Sequence, residues 1–247
     1  MFRPKTILKY LLMISVLMTL IAMLSIPYAL YRPQSPLVQG VSANTILIHN
    51  INILSDDFKS IRPANSIIIH NGIIQDLPLD EVNHDDFALV IDGNNHFLLP
   101  GLIDAHTHIY DRTDLLLNLA HGVTQVRVMH GLELQLALRN EVKSGISIGP
   151  DMLVASPAIN QHSQYASSEF HQFINNPTQA RQLTEQYKAE GYDLIKIYDG
   201  LDSDNFHAIC EAAKDLKIPV AGHSPFAVST TELLNSELQS LEHIEML

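Results

Sequence analysis

Residues Leu98 to Ile109 read LLPGLIDAHTHI, and this stretch decides how the body of the chain is organised. A Pro-Gly turn interrupts an apolar run, and a second apolar run ends in Asp104, His106 and His108. Because alternate residues of a strand point to the same side, the two imidazoles lie side by side, as metal ligands do. The chain has 13 histidines, so chance alone supplies roughly 0.7 such pairs. The pair therefore indicates a metal site only in combination with residues elsewhere in the sequence.

From Leu102 onward, strands alternate with helices, which is the pattern of βα units around a parallel sheet. We predict six strands, at Leu102–His106, Val123–Met129, Asp151–Ser156, Asp193–Tyr198, Ile218–His223 and Ser240–Ile244. In parallel βα barrels, functional side chains lie at the carboxyl ends of the strands. Five side chains of this sequence share that position: His106, His108, Lys196, His223 and His243. Their recurrence at successive strand ends favours a metal site.

Lys196 has more than one interpretation, because it is a cation in the apolar segment LIKIY. Its long side chain can pass the ammonium group out beyond the strand end. Alternatively, the amine takes part in chemistry, as a Schiff base or as a carbamate that binds metal. His223 or His243, taken singly, is also consistent with a hydrogen-bonded core histidine. The local sequence leaves these alternatives open.

The region before the strand–helix repeats contains short runs typical of β-strands. The runs Thr45–Ile53, Ser66–Leu77 and Ala88–Pro100 predict a small antiparallel β unit, with turns at Asn71-Gly72 and at Asp92–Asn95. Residues 32–44 are rich in Pro, Ser, Gly and Gln and are typical of a linker. The β unit therefore occupies residues 45–99, between this linker and the strand–helix region at residues 100–247.

Residues 1–31 form a targeting segment. Arg3, Lys5 and Lys9 precede an uncharged run from Tyr10 to Tyr31, which is long enough to cross a bilayer as a helix. We favour an uncleaved signal anchor, because small residues suited to a cleavage site are hard to find. The alternative is a cleaved signal peptide and a secreted body. The basic flank predicts a cytoplasmic N-terminus, a transmembrane helix and a body that is periplasmic or extracellular.

Composition excludes some classes of protein. The chain has 27 acids against 15 bases, and a net charge of −12 repels the phosphates of nucleic acid. The single Cys210 forms neither an intramolecular disulfide nor a thiolate metal site. It lies on an apolar helical stripe, so we interpret it as a core thiol.

The stretch Pro100–His108, PGLIDAHTH, resembles the signature that opens the barrel of the amidohydrolase superfamily, metal-dependent hydrolases such as imidazolonepropionase and the prolidase-like enzymes. Further segments resemble that family in the same order, namely Gly122–Thr124, Asp193–Tyr198, Val220–Pro225 and Ser240–His243. The resemblance covers about residues 45–247. It implies an α/β fold with a partial TIM-like (β/α)8 barrel of about six βα units, preceded by half of a β-sandwich.

The resemblance also implies a set of metal ligands. His106 and His108 would hold the more buried ion, and a carbamylated Lys196 would bridge to a second ion held by His223 and His243. One or two divalent ions, commonly zinc, would activate water against a carbon–nitrogen bond of an amide, cyclic amide or dipeptide-like small molecule. Asp104 fits a supporting role better than that of a ligand.

One element of the family pattern is missing. The catalytic base of the family is an Asp at the end of the eighth strand, and this sequence ends at Leu247, just past the sixth. We therefore expect a C-terminally truncated chain with no identifiable catalytic residue, and an inactive fragment that keeps its metal ligands is the alternative to an active hydrolase. His130 stands at a strand end without an assigned role. We interpret the polar segment Ile159–Tyr165 as a solvated loop.

Overall fold

A computed structural model of the chain describes residues 4–30, 44–55, 57, 59–77, 83–162 and 171–244. The chain divides into an N-terminal unit, Met1–Pro36, and a body, Leu37–Leu247. Almost all of the predicted linker at residues 32–44 lies outside the described residues.

The N-terminal unit contains helix α1, Pro4–Leu30, in the region of the predicted targeting segment. Within the described part of the chain, no helix has both the length and the apolar character needed to cross a membrane. The helix was correctly predicted, whereas its transmembrane character is not supported. The placement of the body outside the cytoplasm stays a prediction.

The first sheet of the body begins with three antiparallel strands, β1 at Thr45–Leu54, β2 at Ile61–His70 and β3 at Ile73–Leu77. A two-residue turn, Asn71-Gly72, joins β2 to β3, and both residues have positive φ, of 49° and 79°. Positive φ at both positions is the geometry that matches the twist of a hairpin. The predicted hairpin is therefore confirmed.

The remaining strands of this sheet, β4 at Leu89–Asp92 and β5 at Phe97–Leu98, correct the prediction of a wholly antiparallel unit. Both pair with β1 in parallel. The segment between them does not reverse the chain, because Gly93 N–H and Asn95 N–H donate to backbone carbonyls of β1. β4 and β5 thus continue in one direction along a single edge of β1. The predicted second turn is confirmed, because His96 N–H donates to the carbonyl of Gly93 and Asn94 and Asn95 have positive φ, but it does not make a hairpin.

Over its described residues, the strand–helix region contains eight parallel strands: β6 at Leu102–Thr107, β7 at Val123–Val128, β8 at Asp151–Val154, β9 at Ala158–Asn160, β10 at His171–Phe173, β11 at Ile195–Ile197, β12 at Val220–Gly222 and β13 at Leu238–Leu241. They form one sheet in the order β6-β7-β8 and another in the order β10-β9-β11-β12-β13. A parallel bridge between Ala155 and Leu194 connects the two. All six predicted strands are confirmed, and the fold is a mixed α/β fold with parallel sheets.

Strands β9 and β10 were not predicted. Ala158, Ile159 and Asn160 are buried and pair with β10 and β11, so the interpretation of this segment as a solvated loop is wrong for its first residues. The segment was misjudged because a three-residue strand is too short to show an alternating pattern. Residues 163–165 of the predicted loop lie outside the described residues.

The helices of the body are α2 at Arg112–Ala120, α3 at Glu133–Lys143, α4 at Pro177–Glu190, α5 at Ser203–Leu216 and α6 at Thr230–Leu234. Asn176 caps α4 ahead of Pro177, and Gly191 ends the helix in the left-handed conformation, as the sequence indicates. Cys210 lies in the apolar face of α5 and is buried, which confirms the core thiol. Burial raises the pKa of this thiol to about 12.

Gly222 marks the closest approach between β11 and β12. Its φ is +154°, and a Cβ at this position would lie 2.1 Å from the carbonyl oxygen of Ile197. We expect Gly222→Ala to lower the free energy of unfolding by about 3 kcal/mol, through steric clash and backbone strain. Gly145→Ala is the matched control, because Gly145 has φ +73° with open space around it and should cost only about 1 kcal/mol. Equal losses in urea unfolding would contradict the steric argument.

Candidate functional site

A cavity of about 410 Å³ lies at the carboxyl ends of the parallel strands. Its lining is mostly aromatic and basic, and it consists of His106, His108, Tyr110, Met129, His130, Ala158, His171, Lys196, Tyr198, His223 and His243. A cavity of this size suits a small molecule. All five side chains that the sequence analysis selected as metal ligands therefore meet in one place.

Short segments of backbone bring the five side chains together. His106 lies in β6 and His108 directly follows it, while Lys196 is the central residue of β11. His223 follows β12, and His243 lies two residues beyond β13. Since the strands are parallel, their carboxyl ends open on the same side, and the side chains at those ends converge.

The four imidazoles are close neighbours. The ring centroid of His106 lies 5.7 Å from that of His108 and 4.9 Å from that of His243. The rings of His223 and His243 lie 4.6 Å apart. His243 has φ +57°, in the left-handed region that non-glycine residues seldom occupy. The chain thus takes an uncommon conformation at one of the selected residues.

Among the described residues, no group of three or more His, Cys, Asp or Glu side chains has the arrangement of a formed metal site. The donor set nevertheless fits a divalent ion, because imidazole nitrogens are ligands suited to zinc. The Nδ1 atom of His223 is buried and accepts no hydrogen bond, and a metal would give such a nitrogen a partner. The cluster is a set of neighbouring donors with room for an ion.

Lys196 is only 3% exposed. The interpretation in which its ammonium passes out to bulk solvent is therefore wrong. Burial lowers the pKa of its amine to about 8; the positive charge of Arg127 acts in the same direction, and Glu242 opposes it. A substantial fraction of the amine is consequently neutral in mildly alkaline solution, which is the form that reacts with electrophiles.

Three imidazoles of the cavity disfavour protonation. Burial, followed by the charges of Lys196 and neighbouring histidines, lowers the pKa of His223 to about 3. The pKa values of His108 and His130 are lowered as well, first by burial and then by nearby cationic groups. Neutral imidazole is the form that binds metal ions. The surroundings of these three histidines therefore favour the form that coordinates a metal.

Two charged residues that the sequence analysis did not select support this cluster. The carboxylate of Glu242 lies 2.7 Å from Nδ1 of His106 and accepts hydrogen bonds from Arg127 and Ser240. Burial raises the pKa of Glu242, but the bonds from Ser240 and His106 and the charge of Arg127 outweigh it, so the pKa is lowered overall. Glu242 is therefore ionised at neutral pH.

Asp104 has a local contact of its own. Its Oδ1 atom accepts the backbone N–H of His106 at 3.0 Å. Within the described residues this carboxylate is absent from the lining of the cavity. A supporting role for Asp104, in holding the backbone beside His106, stays a prediction.

Four further aromatic residues line the cavity without having been assigned there, namely Tyr110, His130, His171 and Tyr198. The ring of Tyr198 stacks on that of His223 at 3.9 Å, and His171 meets Tyr198 edge-on at 4.4 Å. His130 lies 6.4 Å from His108. The sequence analysis did not select His171, because the three-residue strand that carries it, β10, gives no periodic signal.

Comparisons with known proteins agree with this architecture. A deaminase from Carboxydothermus hydrogenoformans, described as acting on 5-methylthioadenosine and S-adenosylhomocysteine, is 41% identical over 70 residues, 28% of this chain and 16% of its own. The structure of bottromycin amidohydrolase matches 76% of this chain and 40% of its own, with a TM-score of 0.63 and 20% identity. A Xaa-Pro dipeptidase with bound methionine matches 73% of this chain and 56% of its own, with a TM-score of 0.58 and 23% identity.

These comparisons confirm the resemblance to amidohydrolases, and the chain shares the fold of solved amidohydrolase structures. No protein-family model matches the sequence. The chain spans about half the length of these solved structures and one sixth of the curated deaminase.

The lowered pKa of Lys196 predicts selective chemical modification. Cyanate reacts with neutral amines, so in the metal-free protein the carbamoylation of Lys196 should rise with a midpoint near pH 8. Peptide mapping by mass spectrometry measures this profile against Lys188, which is exposed on α4. A profile for Lys196 that rises no earlier than that of Lys188 would contradict the assignment.

The lowered pKa of His223 predicts a loss of stability in acid. Its folded pKa is about 3 and its ordinary value is 6.5, so below pH 6.5 the unfolded chain takes up a proton that the folded chain refuses. We expect the free energy of unfolding of the metal-free protein to fall between pH 7 and pH 5. His223→Asn should flatten this dependence in urea unfolding, whereas the same change at the exposed His121 should not.

Proposed function

We propose that the body of this chain belongs to the amidohydrolase superfamily and is a metal-dependent hydrolase of carbon–nitrogen bonds. Its substrates would be small amides, cyclic amides or dipeptide-like molecules. The observation that carries this proposal is the convergence of four histidines and one buried lysine at the carboxyl ends of parallel strands. The likeness to a Xaa-Pro dipeptidase and to bottromycin amidohydrolase supports it at the level of fold. The parallel strands would then be part of a TIM-like barrel.

The proposed metal ligands fall into two groups. His106 and His108 would hold one divalent ion, most simply zinc, and His223 and His243 would hold a second, with a carbamylated Lys196 between the two. When bound, such ions supply an acidified water and polarise the carbonyl group of the substrate. The buried, unpartnered Nδ1 of His223 and the lowered pKa values of His223 and His108 support this assignment.

The surroundings of Lys196 favour a carbamate. Its neutral amine can attack carbon dioxide and release one proton, which converts the uncharged amine into an anionic carbamate. The charge of Arg127, which lowers the pKa of the free amine, would then stabilise the carbamate. Glu242 acts in the opposite sense, so burial, the largest cause of the lowered pKa, is what keeps part of the amine in its reactive neutral form.

The cavity also limits the substrate. Its volume of about 410 Å³ admits a small molecule but no folded protein. Tyr110, Met129 and Tyr198 supply apolar surface beside the ligand cluster. This combination of apolar walls with convergent polar groups is typical of sites for small organic substrates.

A second candidate function is metal binding without hydrolysis. Over the described residues, no Asp or Glu lines the cavity, although amide hydrolysis needs a group that carries a proton to the leaving amine. The nearest carboxylate described above, Glu242, is engaged by Arg127, Ser240 and His106. This observation favours a chain that retains its metal ligands and lacks the catalytic base.

Metal analysis and activity assays on the full chain test both candidates. The proposal expects one or two zinc ions per chain and hydrolysis of acyl dipeptides or cyclic amides. Lys196→Ala should lower kcat/KM by about 100-fold or more, since it removes a ligand, whereas Lys188→Ala on the exposed face of α4 should not change it. Zinc without hydrolysis would favour the second candidate, and absence of stoichiometric metal would contradict both.

A further inference from the structure

We propose that Glu242 and Arg127 are positioning residues that fix the ring of His106 so that its Nε2 atom is the nitrogen offered to a metal ion. This inference rests on the proposed function, in which His106 is a metal ligand. It is carried by a hydrogen-bonded network that joins residues far apart in the sequence.

The contacts of Glu242 decide which nitrogen of His106 carries the proton. One oxygen of Glu242, Oε2, lies 2.7 Å from Nδ1 of His106. The other oxygen, Oε1, accepts from Nη2 of Arg127 at 2.5 Å and from Oγ of Ser240 at 2.5 Å. A carboxylate that accepts from a guanidinium group and a hydroxyl is an acceptor only. Nδ1 of His106 is therefore the donor, which leaves the lone pair on Nε2.

The guanidinium group of Arg127 holds Glu242 in place. Arg127 donates from Nε to the carbonyl oxygen of Ala105 at 2.7 Å and from Nη1 to Oγ of Ser240 at 2.8 Å. Its guanidinium thus contacts β6 and β13, which belong to different sheets. The side chains of Arg127 and Glu242 are 22% and 7% exposed, so solvent screens their ion pair only weakly. The rigid fork of the arginine fixes both the distance and the direction of the carboxylate.

His243, a second proposed metal ligand, lies next to Glu242 in the chain. Glu242 directly precedes His243, whose positive φ turns the chain at this point. The side chain of Glu242 reaches His106, while the ring of His243 lies 4.9 Å from the ring of the same histidine. Positioning of His106 by Glu242 therefore also sets its distance from His243.

The arrangement favours a supporting role for Glu242 over that of a ligand. Both of its oxygens accept hydrogen bonds within the network, and among the described residues it is absent from the lining of the cavity. A ligating histidine commonly donates its other ring nitrogen to such a carboxylate. Glu242 and Arg127 consequently act through His106 and not on substrate or metal.

The first experiment measures the tautomer of His106 in the metal-free full chain. Histidine nitrogens labelled with ¹⁵N report by NMR which of the two carries the proton, and the signals of His106 are identified as those lost in His106→Gln. We expect the Nδ1–H tautomer. An Nε2–H tautomer would overturn the proposal. This measurement requires neither metal nor activity, so it separates failure of the positioning role from failure of the proposed function.

The second experiment measures zinc affinity by titration calorimetry. Glu242→Gln should weaken zinc binding by about 10- to 100-fold and should lose the preference for the Nδ1–H tautomer. Glu141→Gln is the matched control, because it removes a carboxylate that accepts two bonds from Arg112, and it should leave the affinity unchanged. Wild-type affinity in a folded Glu242→Gln variant would overturn the proposal, whereas a wild-type chain that binds no zinc would overturn the proposed function.

Variants of Arg127 test whether the two residues act as one unit. Arg127→Met should weaken zinc binding as much as Glu242→Gln, and the double variant should be no weaker than either single variant. Arg127→Lys should restore part of the affinity, since it keeps the charge and loses the fork. Additive losses would contradict joint action. If Glu242→Gln does not fold, Ser240→Ala removes one bond to the same carboxylate and should shift zinc affinity in the same direction.

Discussion

Parallel pairing of short, buried strands is the constraint on which the rest of the body depends. β11 and β12 are three residues long and buried, and the one polar side chain within them is that of Lys196. Since all strands of the region run in one direction, the residues that follow them gather on one side. The histidine and lysine cluster is a direct consequence of this geometry. The close contact at Gly222, just before His223, shows how little space separates the strands that carry it.

Much of this arrangement could be predicted because the signals are local. Apolar runs marked the six strands, and the polar residues at their ends marked the cavity. The directions of β4 and β5 were not predictable in the same way, since Asp92–Asn95 has the composition of a turn and its partner strand is remote. The role of Glu242 was hidden for a similar reason. It meets Arg127 across 115 positions of the chain, and nothing beside either residue indicates the contact.

The cavity is lined by basic side chains, although the chain as a whole carries a negative net charge. The protein carries a net charge of −12, yet the described lining of its cavity contains histidines and a lysine and no carboxylate. Burial disfavours the charged form of two of these bases, since it lowers the pKa of Lys196 to about 8 and that of His223 to about 3. The half-buried guanidinium of Arg127 is paired with Glu242. At neutral pH His223 is therefore uncharged, and the charge of Arg127 is balanced.

The contacts of Arg127 with both sheets couple the separation of those sheets to the chemistry of the cavity. A series of hydrogen bonds runs from the carbonyl of Ala105 through Arg127 and Glu242 to His106. A change in the distance between β6 and β13 alters the geometry of these bonds. By thermodynamic linkage, a ligand at His106 that prefers one separation of β6 and β13 is itself bound more tightly at that separation, by the same free energy.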